Sequence, residues 1–323
     1  IKKAKPGDKV LMIGGRVGKD GIHGATFSSE ELDTSSPVTA VQIGDPITQK
    51  KFSDVIIKEL RDKNLYTSLT DNGAGGLSSS VGEMAKESGG FIINLDLVPL
   101  KYSGLDPWEI WISESQERMT MAVPPKNEKK VIKLLNKRGV EATVIGKFIK
   151  TNKAIVKYKN IEILNMDMNF LHEGYPRKVL KSKKPILTKK IYREKRIDNY
   201  SSNLLKILSS PNIISKEFVS SQYDHEVQGT SIIKPLQGIG KVFSDATVIK
   251  PIFKSSRCVS LSQGIYPNYT NLDSYNMAAH CIDTAIRNLV VSGCDLSNIA
   301  LLDNFCWCSP EEPERVYQLK KSL

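Results

Sequence analysis

The first 170 residues alternate between strand-like and helix-like patterns, and this alternation limits the fold more than any other feature. Short apolar runs that are rich in β-branched residues and bounded by turn residues are typical of strands. They predict strands at 9–15, 39–45, 65–71, 90–97, 118–124 and 141–148. Apolar residues near helical spacing predict helices between them, at 48–63, 77–88 and 126–138. Elements in this order predict an α/β domain of mixed layers.

The composition changes after Tyr175. Residues 175–200 are basic and interrupted by proline, which is typical of a connector between domains. Further helices are predicted at 202–209, 214–221, 274–293 and 313–321, and further strands at 230–234, 245–249, 256–261 and 298–304. A length of 323 residues favours about two domains. We therefore expect a first domain at 1–175, a basic linker with short helices at 176–221 and a second domain at 222–323.

The bulk composition, 40% hydrophobic and 25% charged, is that of a soluble globular protein. No apolar run approaches the roughly 20 residues of a membrane span, and the first residues lack the apolar core of a signal peptide. The net charge of +11 is carried mostly by dispersed lysines, with only ten arginines among 46 basic residues. Aromatic residues are not interleaved with them, as stacking of bases would require. The sequence predicts a cytoplasmic protein that binds neither nucleic acid nor membrane.

The five cysteines all lie in the last fifth of the chain. Their odd number and irregular spacing favour reduced thiols in the cytosol. Cys306 and Cys308 are one residue closer than a redox or zinc C-x-x-C pair, and no second pair is near. We therefore interpret them as small buried residues.

Four stretches carry acids at predicted strand ends or just before a strand. They are VQIGDP with Gln42 and Asp45, LTDNGAGG with Asp71, WISESQERM with Glu114, Ser115, Gln116 and Glu117, and NIALLDNF with Asp303. Ligands of open α/β sheets collect at the carboxyl ends of strands, so these stretches could meet in one crevice. Taken singly, each is also typical of a turn acid or a helix cap.

The glycine-rich stretch after Asp71 has two interpretations. Glycines allow a tight turn with positive φ, and Ser78 or Ser79 could cap the helix that follows. Alternatively, bare backbone N–H groups at a helix N-terminus attract phosphate, and a strand-end carboxylate can hold its metal ion. The loop at 14–29, with five glycines, Arg16, Lys19 and His23, is open to the same two readings, as a phosphate site or a surface loop. A histidine such as His23 can act as a general base, but in a loop it is more often simply polar.

Longer motifs occur in order across nearly the whole chain. They include GGRVGKDGIHGATFSSEE, AVQIGDP, DNGAGGLSSSVGEMA, PWEIWISESQERM, MDMNFLHEGYPRK and AIRNLVVSGCDLSNIALLDNF. Together they resemble phosphoribosylformylglycinamidine synthase, the glutamine-dependent ligase of purine biosynthesis. That family is related to ATP-using enzymes such as aminoimidazole ribonucleotide synthetase and selenophosphate synthetase.

The resemblance implies a fold of two homologous halves, each with a barrel-forming N-terminal α/β domain and a C-terminal α/β domain. On that map residues 1–175 are the C-terminal domain of the first half. Residues 222–323 are the start of the barrel-forming domain of the second half. The chain is then expected to be truncated at both ends.

The resemblance also implies a reaction, in which ATP activates the formyl amide oxygen of formylglycinamide ribonucleotide as an iminophosphate and ammonia displaces phosphate. It implies ATP and Mg²⁺ as cofactors, with a glutaminase domain or subunit and the remaining synthetase domains as partners. The implied roles are metal binding for Asp71, substrate binding for Gln42, Glu114, Ser115 and Gln116, and nucleotide binding for Asp303. The family's catalytic histidine lies upstream of Ile1, so no catalytic residue is expected in this segment.

Two departures from the family pattern affect the second half. The chain reads VFSDATVI around Asp245, where relatives commonly have G-P-S-D-A, and CSP at 308–310, where they have G-N-P. Two alternatives stay open: a related ATP-using enzyme with another acceptor, and a non-catalytic nucleotide-binding module. The E-S-Q-E-R motif and the two-half layout favour the synthase.

Overall fold

The computed structural model describes residues 3–27, 37–186, 198–222, 226, 228–309 and 311–323. The chain divides into two compact units, residues 1–177 and residues 178–323. Both units mix helices and strands, in agreement with the predicted mixed α/β class. Part of the predicted basic linker, at 187–197, lies outside the described residues. The assignment of the units to particular synthetase domains stays a prediction.

A seven-stranded sheet forms the centre of the first unit. Its strands are β1 (Lys9–Gly14), β2 (Ser68–Asp71), β3 (Phe91–Asn94), β4 (Arg118–Val123), β5 (Ala142–Phe148), β6 (Lys153–Tyr158) and β7 (Ile161–Asp167). They lie in the order β2-β4-β1-β5-β3-β6-β7. Strands β3 and β6 run parallel, and the other neighbours are antiparallel.

Helices of the first unit cover both faces of this sheet. They are α1 (Gly24–Phe27), α2 (Pro46–Val55), which continues as a π-helix at Ile56–Arg61, α3 (Gly76–Ser88), α4 (Pro107–Ile112), α5 (Glu128–Lys137) and α6 (Met168–Glu173). Successive side chains of a strand point to opposite faces, and β1 shows the consequence. Val10 and Met12 belong to the cluster that contains α3, whereas Leu11 and Ile13 belong to the cluster that contains α2 and α5. Burial on both faces explains why β1 is apolar from Val10 to Ile13.

The second unit contains four helices and five short strands within its described residues. The helices are α7 (Tyr200–Leu208), α8 (Glu217–Ser220), α9 (Ser274–Val291) and α10 (Pro313–Ser322). The strands are β8 (Ser231–Ile233), β9 (Leu236–Gln237), β10 (Val242–Phe243), β11 (Ala246–Ile249) and β12 (Val259–Ser262). They form a three-stranded sheet, β12-β11-β8, and a two-stranded ribbon, β10-β9. Across the described part of the chain, no helix combines the length and apolar character that crossing a bilayer would need.

Most of the predicted elements are confirmed, with boundaries moved by a few residues. Two predicted strands are wrong. Residues 39–45 form a 3-10 turn at Val38–Ala40 and an irregular stretch whose apolar side chains Val41 and Ile43 are exposed. The predicted strand at 298–304 is instead the end of a 3-10 turn at Leu296–Asn298 and an irregular stretch in which Leu302 is exposed. An apolar run becomes a strand only where a neighbouring strand accepts its backbone hydrogen bonds, and neither run has one among the described residues.

Other elements escaped the sequence analysis. Helices α4 and α6 and strands β6 and β7 were not predicted. The interpretation of Cys306 and Cys308 as buried residues is also wrong, because both are exposed.

Asp45, predicted at a strand end, instead caps the N-terminus of α2. Its carboxylate accepts hydrogen bonds from the backbone N and the hydroxyl of Thr48, at 3.1 and 2.7 Å. The hydroxyl bond is the main reason why the pKa of Asp45 lies below its ordinary value. A carboxyl with a lowered pKa stabilises the fold above its unfolded pKa, and the effect is lost as the pH falls through the folded pKa.

We expect Asp45→Ala to lower the free energy of unfolding by about 1 kcal/mol at neutral pH, because an N-cap is lost. At a second, acidic pH the difference from the parent should be smaller, because the stabilisation is lost as the pH falls through the lowered pKa of the folded state. Urea unfolding at the two pH values measures this, with the exposed Asp62→Ala as the control. An equal loss at both pH values would contradict the capping role.

Candidate functional site

The loop that follows β1 is held against residues 100–109 by charged side chains. Lys19 Nζ lies 3.1 Å from Glu109 Oε1, and Lys101 Nζ lies 2.8 Å from Asp20 Oδ2. The Tyr102 hydroxyl accepts a hydrogen bond of 2.7 Å from the backbone N of Lys19. The described part of this glycine-rich loop, 14–27, is therefore attached to the unit at several points.

Glu114 is the residue on which three separate segments meet. Its side chain is only 4% exposed. Its Oε2 accepts hydrogen bonds from the backbone N of Ala25 at 2.8 Å and from Gln42 Nε2 at 3.1 Å. Its Oε1 accepts a bond of 3.0 Å from the backbone N of Gly75. A buried carboxylate needs such partners, and here they come from α1, from the irregular stretch before α2 and from the loop after β2. We call this arrangement the Glu114 junction.

Asp71 ends β2 and begins the loop that leads to Gly75. Its side chain is exposed and has no hydrogen bond or ion pair with any described residue. A Cβ on Gly73 would lie 2.8 Å from Asp71 Oδ2, so the glycine leaves the space beside the carboxylate open. A free carboxylate at a strand end, next to a bare backbone, suits a cation and its anionic ligand.

The glycines that close this loop are required by its geometry. Gly75 and Gly76 have φ values of +74° and +56°, which other residues rarely adopt. A Cβ on Gly76 would lie 2.0 Å from the carbonyl oxygen of Ser113, so the start of α3 contacts the backbone just before Glu114. The tight turn predicted for these glycines is therefore present, together with a free carboxylate at Asp71. The predicted cap by Ser78 or Ser79 is wrong, because both serines lie inside α3 and its N-cap is Gly75.

Asn72 lies beneath the loop and is buried. Its Oδ1 accepts hydrogen bonds from the hydroxyls of Ser80 and Thr120. Its Nδ2 is buried without a hydrogen-bond partner among the described residues. Sequence reasoning missed Asn72, because an Asn between an acid and a glycine has the appearance of a turn residue.

Ser115 and Gln116 lie next to Glu114 but have different surroundings. Ser115 is fully buried, and its hydroxyl accepts a hydrogen bond of 3.0 Å from the backbone N of Gly18. Gln116 is half-buried, and its Nε2 donates to the carbonyl oxygen of Glu114 at 2.9 Å. In this arrangement the Ser115 hydroxyl fastens the loop after β1, while Gln116 stays partly accessible.

Arg118, the first residue of β4, is a buried cation to which the sequence analysis gave no role. It is 3% exposed. Its Nε donates to the carbonyl oxygen of Ser115 at 2.7 Å, and its Nη2 donates to that of Ser113. Burial lowers the pKa of Arg118 to about 10, and the charge of Asp20 opposes that shift. The guanidinium therefore remains charged at neutral pH.

Comparison with known proteins identifies the relatives of the chain. The model of the C-terminal domain of AIR synthase related proteins matches residues 5–159. The phosphoribosylformylglycinamidine synthase subunit PurL of Picrophilus torridus is 35% identical over 331 aligned residues, which cover 100% of this chain and 43% of the relative. The chain is a homologue of these synthase subunits. The resemblance seen in the motifs is confirmed, and the chain spans less than half the length of the curated relatives it matches.

Solved structures of the Thermotoga maritima PurL subunit share the fold. The structure complexed with FGAR has a TM-score of 0.66 and 27% identity, over 90% of this chain and 44% of that one. The structure complexed with ATP has a TM-score of 0.63 and 24% identity, over 90% of this chain and 42% of that one.

In the first unit of this synthase homologue, four of the predicted site residues lie together at Glu114, and a fifth, Asp71, lies on an adjoining loop. Gln42 and Gln116 each bond to Glu114, and Ser115 is adjacent. Asp71 lies on the same loop as Gly75, which donates to Glu114. Asp303 belongs to the second unit, where it is exposed on an irregular stretch instead of at a strand end. No group of three or more His, Cys, Asp or Glu side chains among the described residues is arranged to hold a metal ion.

Proposed function

We propose that this chain supplies substrate- and metal-binding residues of a phosphoribosylformylglycinamidine synthase. The ligase would convert formylglycinamide ribonucleotide, ATP and glutamine-derived ammonia to formylglycinamidine ribonucleotide, ADP and phosphate. The observation that carries this proposal is the Glu114 junction, because one buried carboxylate joins Gln42, the E-S-Q motif and the loop that begins at Asp71. Homology along the whole chain to synthase subunits supports it independently.

Gln42 would contact the substrate through its amide oxygen. Its Nε2 donates to Glu114, and the reverse orientation would place two oxygens 3.1 Å apart, one of them charged. Its Oε1 has no hydrogen-bond partner among the described residues and remains available as an acceptor. The substrate carries amide N–H groups that could donate to it. Gln116, half-buried beside Glu114, would provide a second polar contact.

Asp71 would be one ligand of the magnesium ion that accompanies ATP. Its exposed carboxylate and the open space beside Gly73 fit that role. When bound, Mg²⁺ would neutralise charge on the triphosphate during phosphoryl transfer. The remaining metal ligands would come from other parts of the synthase, since Asp71 has no acidic partner cluster among the described residues. Asp303 would contribute to nucleotide binding in the second half.

The domain assignment and the partners belong to the same proposal. The first unit would be the C-terminal domain of the first synthetase half, and the second unit the beginning of the barrel-forming domain of the second half. A chain that matches only 43% of its relative leaves the other synthetase domains to complete the site. Ammonia would come from a glutaminase domain or subunit.

The test is phosphate release by the complete gene product, supplied with ATP, Mg²⁺, ammonia and formylglycinamide ribonucleotide. We expect Asp71→Asn to lower kcat/KM about a hundredfold, because the neutral amide is a poor magnesium ligand. Asp62→Asn, an exposed acid away from the junction, should retain the parent rate. Phosphate release only with formylglycinamidine ribonucleotide or selenide as acceptor would favour a related enzyme, and release with none of them would defeat the proposal.

A further inference from the structure

We propose that Arg118 is a positioning residue for the substrate site, whose guanidinium holds the two carbonyl groups that flank Glu114. This inference rests on the proposed function only where it concerns the substrate; the link between Arg118 and the Glu114 junction stands on the contacts themselves. Arg118 contacts neither Gln42 nor Asp71 and would act through the backbone at residues 113–115.

The guanidinium of Arg118 holds the short segment at 113–117, between α4 and β4, through hydrogen bonds to its backbone. Two of its nitrogens donate to the carbonyl oxygens of Ser113 and Ser115, so Glu114 is held on both sides. A third nitrogen lies 4.0 Å from the sulfur of Met12 on β1. The planar fork of an arginine suits two acceptors at once, whereas a lysine ammonium offers one point charge. The position of the Glu114 backbone is therefore set by Arg118.

The same carbonyl groups control the neighbouring loops. The Ser113 carbonyl oxygen is the atom that Gly76 approaches at the start of α3, and Gly75 donates to the Glu114 carboxylate. A displaced 113–115 segment would move Glu114 away from Gly75 and from Ala25 in α1. Loss of the guanidinium would thus loosen two loops that Arg118 itself does not touch.

Burying the charge of Arg118 lowers the stability of the fold, which suggests that the charge has a functional role. Arg118 has no ion pair with a carboxylate among the described residues, although its charge feels that of Asp20. A buried cation without a paired carboxylate is normally destabilising compared with an apolar residue of similar size. Because Arg118 bonds to the residues on both sides of Glu114, its positive charge lies close to the Glu114 junction. There it would also favour an anionic ligand such as a ribonucleotide phosphate.

The experiment uses Arg118→Lys, Arg118→Met and Arg118→Ala in the complete gene product. We expect the KM for formylglycinamide ribonucleotide to rise about tenfold in Arg118→Lys, with kcat within about twofold, since substrate positioning is lost and the reacting groups are kept. Arg118→Met should show a larger rise. Arg118→Ala with added methylguanidinium should recover part of the lost affinity. Arg138→Lys is the matched control, because Arg138 is exposed and pairs with Glu59.

Hydrogen exchange gives a readout that does not depend on activity. In this chain, the backbone N–H groups of Ala25 and Gly75 should exchange at least about tenfold faster in Arg118→Lys than in Arg138→Lys. Unchanged exchange at both positions would overturn the inference, whatever the activity. Changed exchange with an unchanged KM would reduce Arg118 to a structural residue and overturn its part in substrate binding. A parent without activity on this substrate defeats the proposed function, and the exchange result still decides the link to the junction.

Discussion

Replacing Glu114 with alanine is expected to lower the free energy of unfolding of the first unit by about 4 kcal/mol. The carboxylate accepts hydrogen bonds from Ala25, Gly75 and Gln42, and it is 4% exposed. A hydrogen bond to a charged group contributes about 1.5 to 3 kcal/mol, and donors left buried without a partner add their desolvation cost. The sum is smaller than three full bonds, because water can reach Gln42 once the carboxylate is gone.

The isosteric change Glu114→Gln isolates the hydrogen bonds from the cavity. One oxygen becomes an NH₂ group, which must face either Gly75 N or the pair of donors from Ala25 and Gln42. Two donors facing each other cannot bond, so we expect a loss of about 2 kcal/mol.

Urea unfolding of the three proteins, followed by far-UV circular dichroism, measures both losses. The control is Glu83→Ala, on the exposed face of α3, where the change should stay within about 0.5 kcal/mol. If Glu114→Ala costs no more than Glu83→Ala, the junction does not hold the three segments together.

Strand β1 was predicted well because the sheet buries it on both faces. β1 is apolar at every core position because Val10 and Leu11 pack into different clusters. The run at 39–45 also contains apolar residues, but the residues at its end favour the start of a helix over a strand. Asp45 followed by Pro46 is a helix start, and α2 begins there. Composition alone does not distinguish the two cases, because pairing depends on strands far away in the sequence.

The candidate site could be predicted in part for a related reason. Acids near predicted strand ends indicated a common crevice. The bond between Gln42 and Glu114 joins two of the four stretches, and the crevice itself stays a prediction. The other partners of Glu114 are backbone N–H groups, which every residue except proline carries and which therefore cannot be recognised in the sequence. Arg118 and Asn72 were missed because charged and amide side chains are normally exposed. The residue type alone therefore gave no reason to expect that these two side chains are buried.

The change Gly76→Ala is expected to lower the free energy of unfolding by about 4 kcal/mol, against about 1 kcal/mol for Gly104→Ala. Both glycines have positive φ, +56° and +90°, so both alanines carry the strain of a left-handed backbone. The two positions differ in the space available for a Cβ atom. A Cβ at Gly104 meets nothing within 4 Å, whereas one at Gly76 would lie 2.0 Å from the Ser113 carbonyl oxygen. Backbone must therefore move at Gly76, and Ser113 is held by Arg118.

Urea unfolding of the two variants measures the difference, and the KM for formylglycinamide ribonucleotide in the complete gene product adds a functional readout. A shift of α3 would carry Gly75 away from Glu114, so Gly76→Ala should also raise that KM, while Gly104→Ala should not. Equal losses of stability in the two variants would mean that the close contact relaxes without cost. A large loss of stability in Gly76→Ala would instead show that packing against Ser113 requires a glycine at this position. Phosphate binding is then not needed to explain the glycine at position 76. Packing does not explain Asp71, which is exposed and has no partner among the described residues, so Asp71 is the residue of this loop that indicates a ligand.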